Sequence, residues 1–136
     1  MEYNKIKTIF NPYDYLPTYG ENKLDLFFKN GKLRIDVYFD SSNGNENKFS
    51  ISFNKTVYHL YQDFPGIVMS KINHPHYLDF DNLVEFEVSN VKTAWEKHFN
   101  GKFKLRHFKI FFTSQNKLLE VISEDFNIET QNIKIL

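Results

Sequence analysis

The chain contains no cysteine among its 136 residues, which removes disulfides, zinc–thiolate sites, iron–sulfur clusters and thiol nucleophiles together. It has a single alanine, Ala94, so the strongest helix former is nearly missing. Its 5 glycines are scattered, so no glycine-dense loop is available to cradle a phosphate. Net charge is lacking as well: 17 Lys and Arg balance 17 Asp and Glu. A whole-surface nucleic-acid or membrane binder usually carries a basic excess, so both partners are disfavoured. No run approaches the ~18 apolar residues of a membrane helix. Met1 to Phe10 alternates charged and apolar residues, unlike a signal peptide. The expectation is one soluble, cytoplasmic domain spanning residues 1–136. Gly-x-Ser-x-Gly, His-Glu-x-x-His and Lys-Ser/Thr phosphate-loop patterns are all missing, which points away from an enzyme and implies no cofactor.

What is present is aromatic: 15 Phe and 8 Tyr in a chain whose Phe/Trp/Tyr share is 18%. Such side chains suit pleated, half-buried surfaces. Period-two alternation runs through Leu24, Leu26 and Phe28, and again through Leu33, Ile35, Val37 and Phe39. Asn30-Gly31 lies between these runs, a strong hairpin signal. Phe49, Ile51 and Phe53 follow the polar loop Ser41–Asn47 and give a third strand of one meander. Val57 to Gln62 satisfies either a strand or a helical turn. Val84, Phe86 and Val88 alternate with Glu85 and Glu87. Val91, Ala94, Trp95, His98 and Phe99 then form one stripe at helical spacing, predicting a single amphipathic helix over about 90–100. Ser89 or Asn90 can cap its start, and Asn100-Gly101 can stop it.

Beyond the helix the phase of alternation changes between Leu105 and Phe108, which predicts a bulge near Arg106 or His107. The alternative is a strand buried on both faces. Leu119 and Val121 give a further strand, and Phe126 and Ile128 a last edge strand. The fold class is therefore α+β: a single domain with a mainly antiparallel twisted sheet and one helix packed on it.

Three clusters invite a functional reading. His74 and His76, with Asp79 and Asp81, have the donor types of a zinc or manganese site, but their spacing matches no established ligand signature and suits a proline-fixed polar loop. The lysines and arginine between residues 92 and 117 lie between two acidic stretches. They form either a basic binding stripe or, if the segments are neighbouring strands, cross-strand ion pairs. His98 reads as a core histidine beside Trp95, while His59 and His107 have no acid partner near them in sequence. Tyr13, Tyr15 and Tyr19, on an irregular Pro/Tyr-rich arm, are candidate partner-binding residues, because Tyr is enriched in interfaces. The acidic residues Asp79, Asp81, Glu85 and Glu87 are candidates for the same role. A simpler role for the arm is to protect a sheet edge.

From Trp95 through Ile128, the succession Leu105-Arg106-His107-Phe108-Lys109-Ile110, a turn, Leu119-Glu120-Val121-Ile122-Ser123 and then Phe126-Asn127-Ile128 resembles the ends of small bacterial immunity proteins encoded beside polymorphic toxins. That resemblance implies an α+β binding protein that occludes a cognate toxin and has no chemistry of its own. It carries over no individual functional residue. The competing class is a small-ligand carrier with an aromatic pocket beside Trp95 and His98. Composition and spacing leave the oligomeric state open.

Overall fold

The computed structural model describes residues 6–63 and 82–130. Within them nine antiparallel strands make two sheets. The five-stranded sheet has the order β1-β6-β7-β8-β5, built from β1 (Ile6–Phe10), β6 (Leu83–Phe86), β7 (Arg106–Phe112), β8 (Lys117–Ser123) and β5 (Tyr58–Asp63). The four-stranded sheet has the order β2-β3-β4-β9, from β2 (Lys23–Lys29), β3 (Lys32–Asp40), β4 (Glu46–Asn54) and β9 (Asp125–Thr130). One helix, α1 (Asn90–His98), joins β6 to β7. The domain is thus α+β with a mainly antiparallel architecture, and the strands divide between two facing layers.

The meander β2-β3-β4 forms as its alternation dictates. Asn30 and Gly31 both take positive φ, 53° and 80°, the pair of left-handed residues that a two-residue hairpin turn needs to match strand twist. Leu33, Ile35, Val37 and Phe39 of β3 and Phe49, Ile51 and Phe53 of β4 then face one side. There they meet Leu83, Phe108, Ile110, Phe112, Leu119 and Val121 of the other sheet in one continuous core. Phe53 and Phe108 touch across it with ring centroids 5.4 Å apart. The segment Val57 to Gln62 resolves as strand, since β5 pairs with β8 from Tyr58↔Ile122 to Asp63↔Lys117.

Two expectations need correction. No bulge interrupts β7, whose register against β8 runs without a break from Arg106↔Ser123 to Phe112↔Lys117. Phe103 and Leu105, which set the apparent earlier phase, precede the strand. β7 is instead apolar on both faces. Phe108, Ile110 and Phe112 point into the main core, and Phe111 joins Val84, Phe86 and Leu118 in a second cluster on the opposite face. Such two-sided burial is what a central strand experiences.

The second correction concerns α1. The helix forms and is capped by Ser89, and Asn100 and Gly101 leave it in left-handed conformation. However, Val91, Ala94 and His98 of its apolar stripe are exposed, while Trp95 and Phe99 are half-buried together with Lys92 and Glu96. The cause is local: the Glu96 carboxylate accepts the Leu105 N–H at 2.8 Å, so the returning loop draws that side of the helix inward. His98 is therefore not a core histidine. It stands edge-on to Trp95 and Phe99 with centroids at 5.7 and 4.9 Å.

Candidate functional site

Three polar side chains line up where the helix meets the five-stranded sheet. Ser89 is extended (φ −148°, ψ 117°), and its Oγ accepts the Lys92 N–H at 3.0 Å, which starts α1. The same Oγ lies 2.7 Å from His107 Nδ1. His107 Nε2 lies 2.5 Å from Glu120 Oε2. The β7–β8 register explains the last contact. Lys109 sits directly opposite Glu120 and His107 opposite Ile122, so Glu120 is the diagonal neighbour of His107 on the same face. One proton arrangement satisfies every atom: Lys92 N–H to Ser89 Oγ, Ser89 O–H to His107 Nδ1, and His107 Nε2–H to the carboxylate. Burial pushes the Glu120 carboxyl up, but the His107 hydrogen bond and the nearby Lys109 charge outweigh it. Its pKa therefore lies below the ordinary value.

Serine, histidine and carboxylate in series form the constellation of nucleophilic hydrolases. In this chain the serine and histidine of the series are enclosed. Ser89 is 7% exposed and His107 6%, and the helix-terminal N–H that could polarise a substrate is spent on Ser89 itself. The Phe86 ring covers His107, with centroids 4.6 Å apart. What the arrangement does is tie the helix start to two central strands. Glu120 was invisible as a partner in sequence, although counting outward from the Thr113–Asn116 turn would have found it.

The acidic–basic–acidic order of the second half becomes physical adjacency, because β6, β7 and β8 are neighbours. Arg106 grips Glu85 with two hydrogen bonds, Nε to Oε2 at 2.9 Å and Nη2 to Oε1 at 2.7 Å. Glu85 also lies 4.0 Å from Lys7. That grip holds the Arg106 guanidinium more firmly protonated, against the opposing effect of burial. Glu85 is thus committed within the sheet. Nearby, a cleft of about 540 Å³ is lined by Lys7, Lys92, Lys104 and Arg106 but also by Glu85, Glu124 and Asp125, so both signs meet in it. On the outer side of the other sheet, the buried Asp36 carboxylate accepts the Ser50 hydroxyl at 2.6 Å, with Arg34 Nε at 3.1 Å and Lys48 Nζ at 3.6 Å. Two cations and one hydroxyl thus surround that buried charge.

The tyrosines of the arm separate into two kinds. Tyr13 packs on the main core. Tyr15 and Tyr19 stand out at 46% and 60% exposure; the Tyr15 ring is packed, whereas Tyr19 is tied only through its backbone. Tyr15 lies against Phe10 and Phe49, with centroids 5.9 Å from each. The Tyr19 carbonyl accepts the Ser114 hydroxyl at 2.7 Å. Asn11 closes the start of the arm by accepting the Tyr13 N–H at 3.0 Å, and Pro12 is buried behind it. Glu87 is exposed. His74, His76, Asp79 and Asp81 lie outside the described residues. Among the described residues no group of three or more His, Asp or Glu is placed to hold a metal ion, and no helix is long and apolar enough to cross a membrane. Two further rings are exposed: Phe27 at 46%, which the alternation does not single out, and Phe28 at 51%, which continues the apolar run of Leu24 and Leu26 but lies at the open end of the strand. No protein-family model, curated protein or solved structure matches the chain.

Proposed function

We propose that the chain is a non-enzymatic protein-binding module of the immunity type, which neutralises a partner toxin by covering its functional surface. The observation that carries this reading is the pair Tyr15 and Tyr19, two exposed rings on an arm held by the Tyr15 ring contacts and the Tyr19 backbone hydrogen bond. Aromatic anchors that lose little freedom on docking make the most effective interface residues. Two other features agree. The serine–histidine–carboxylate series found among the described residues has its serine and histidine buried and serves as a clamp. The rings that a ligand carrier would turn towards a pocket are packed on one another, as in Phe39 with Phe49 and Phe108 with Phe126.

The test is co-expression with the protein encoded by the adjacent gene. A stable complex at micromolar concentration is expected, with protection of cells from that protein's toxicity. The double substitution Tyr15→Ala/Tyr19→Ala is expected to weaken the complex at least about 30-fold, the scale of one strong hot spot. A mixture that stays uncomplexed at micromolar concentration refutes the reading.

A further inference from the structure

Strand β2 ends the four-stranded sheet, and no strand lies on its outer side among the described residues. Its hairpin fixes which backbone groups are free. Lys29↔Lys32 closes the two-residue turn and is a hydrogen-bonded pair, so Phe27↔Arg34 and Asp25↔Asp36 are as well. The N–H and C=O of Leu24, Leu26 and Phe28 therefore point outward. Phe27 projects from the outer face of the sheet, with the Arg34 guanidinium 4.5 Å above its ring. Phe28 projects from the inner face and meets His59 at 5.0 Å. Together with Leu26, Lys29, Asn30, Lys32 and Arg34 they line an open groove of about 860 Å³. A regular seven-residue edge with an exposed ring on each face is a template for strand pairing.

The geometry points to a second copy of this chain as the occupant, joined β2 to β2 in antiparallel fashion about a two-fold axis at Phe27. Outward groups must meet outward groups, so the allowed registers differ in steps of two residues. Centring the pair on Leu26 sets Lys23 opposite Lys29 twice, and centring it on Asp25 sets two aspartates face to face. Centring it on Phe28 leaves Phe27 opposite Lys29. Only the register centred on Phe27 is complementary. It places Phe27 against Phe27 in a non-hydrogen-bonded pair, where side chains approach most closely, and Leu26 against Phe28 on both sides. Asp25 then faces Lys29 of the other copy, twice. Pairing of this kind uses the same edge on both copies and closes on itself, giving one continuous eight-stranded sheet.

The chain's lack of cysteine provides a direct register test. Sedimentation velocity of the full chain at tens of micromolar should show a dimer. Phe27→Asp should be monomeric with an unchanged far-ultraviolet spectrum. Lys29→Asp should also be monomeric, and Asp25→Lys/Lys29→Asp should restore the dimer. Under mild oxidation Phe27→Cys should form a disulfide-linked dimer, whereas Asp25→Cys, four residues out of register with itself, should remain largely monomeric. A wild-type chain that sediments as a monomer overturns the proposal. So does a dimer that survives Phe27→Asp, or equal cross-linking of the two cysteine variants.

Discussion

Replacing Ser89 with alanine removes two things at once, and the structure allows each to be weighed. The first is the helix cap: the Lys92 N–H loses its acceptor at 3.0 Å, a loss of about 1 kcal/mol. The second is the partner of His107 Nδ1 at 2.7 Å. His107 is buried, so its orphaned nitrogen adds about 1–3 kcal/mol. The expected destabilisation is thus about 2–4 kcal/mol, read by urea unfolding as a midpoint lower by roughly 1–2 M for a domain of this size. Ser89→Gly separates the parts. Glycine caps a helix almost as well as serine, so this variant should lose only the histidine contribution. In a His107→Phe background, Ser89→Ala should then cost about 1 kcal/mol, because no orphaned nitrogen remains. Equal cost in both backgrounds would refute the claim that the serine–histidine bond contributes to stability. A cost under about 0.5 kcal/mol in the native background would refute the clamp altogether.

Two other outcomes follow, one from the same contacts and one from the arm. Glu120 has a depressed pKa in the folded state, so its contribution is fully present above the unfolded carboxyl value of about 4.3. It is lost as pH falls through the lower folded value. Urea midpoints of the native chain and Glu120→Gln should therefore converge as pH drops below about 4, and a gap that stays constant down to about pH 3 contradicts the pairing. Gly20 and Gly44 have nearly the same positive φ, 87° and 86°, but an added Cβ at Gly20 collides with Ser114 Oγ while Gly44 faces open space. Both alanine variants bear the left-handed strain of about 1–2 kcal/mol. Calorimetry should place the melting temperature of Gly20→Ala clearly below that of Gly44→Ala, and equal values would show that the arm is not seated on Ser114.

Local signals translated well wherever neighbours in sequence are neighbours in space. The turn at Asn30-Gly31 and the alternation on either side of it sufficed for β2, β3 and β4, because a hairpin needs no information from elsewhere. The last strand was also legible from Phe126 and Ile128. What failed depended on partners far along the chain. Phe103 and Leu105 looked like the start of β7 because alternation does not reveal where pairing begins. The helix stripe from Val91 to Phe99 predicts an inward face along its length, but the Glu96–Leu105 bond that turns it is not a periodic feature. His107 looked unpartnered because Glu120 becomes its neighbour only through the β7–β8 register. The arm tyrosines were visible as a composition, whereas their division into one packed ring and two exposed rings required Phe10, Phe49 and Ser114 in place.

The order in which strands find their partners has a consequence for how the chain is made. β4 is flanked on one side by its hairpin neighbour but on the other by β9, and Asn54 meets Asp125 across 71 residues of sequence. β1 likewise waits for β6, since Ile6 pairs with Phe86. At about 5–20 residues per second, a ribosome needs roughly 4–14 s to deliver the partner of β4. During that interval the row Phe49, Ile51 and Phe53 has neither its final neighbour nor the opposing sheet to cover it. Non-local topologies of this kind complete folding slowly. The nascent chain must therefore hold a greasy half-sheet in solution for seconds, and at a given temperature slower synthesis should lengthen that exposure and lower the fraction recovered folded.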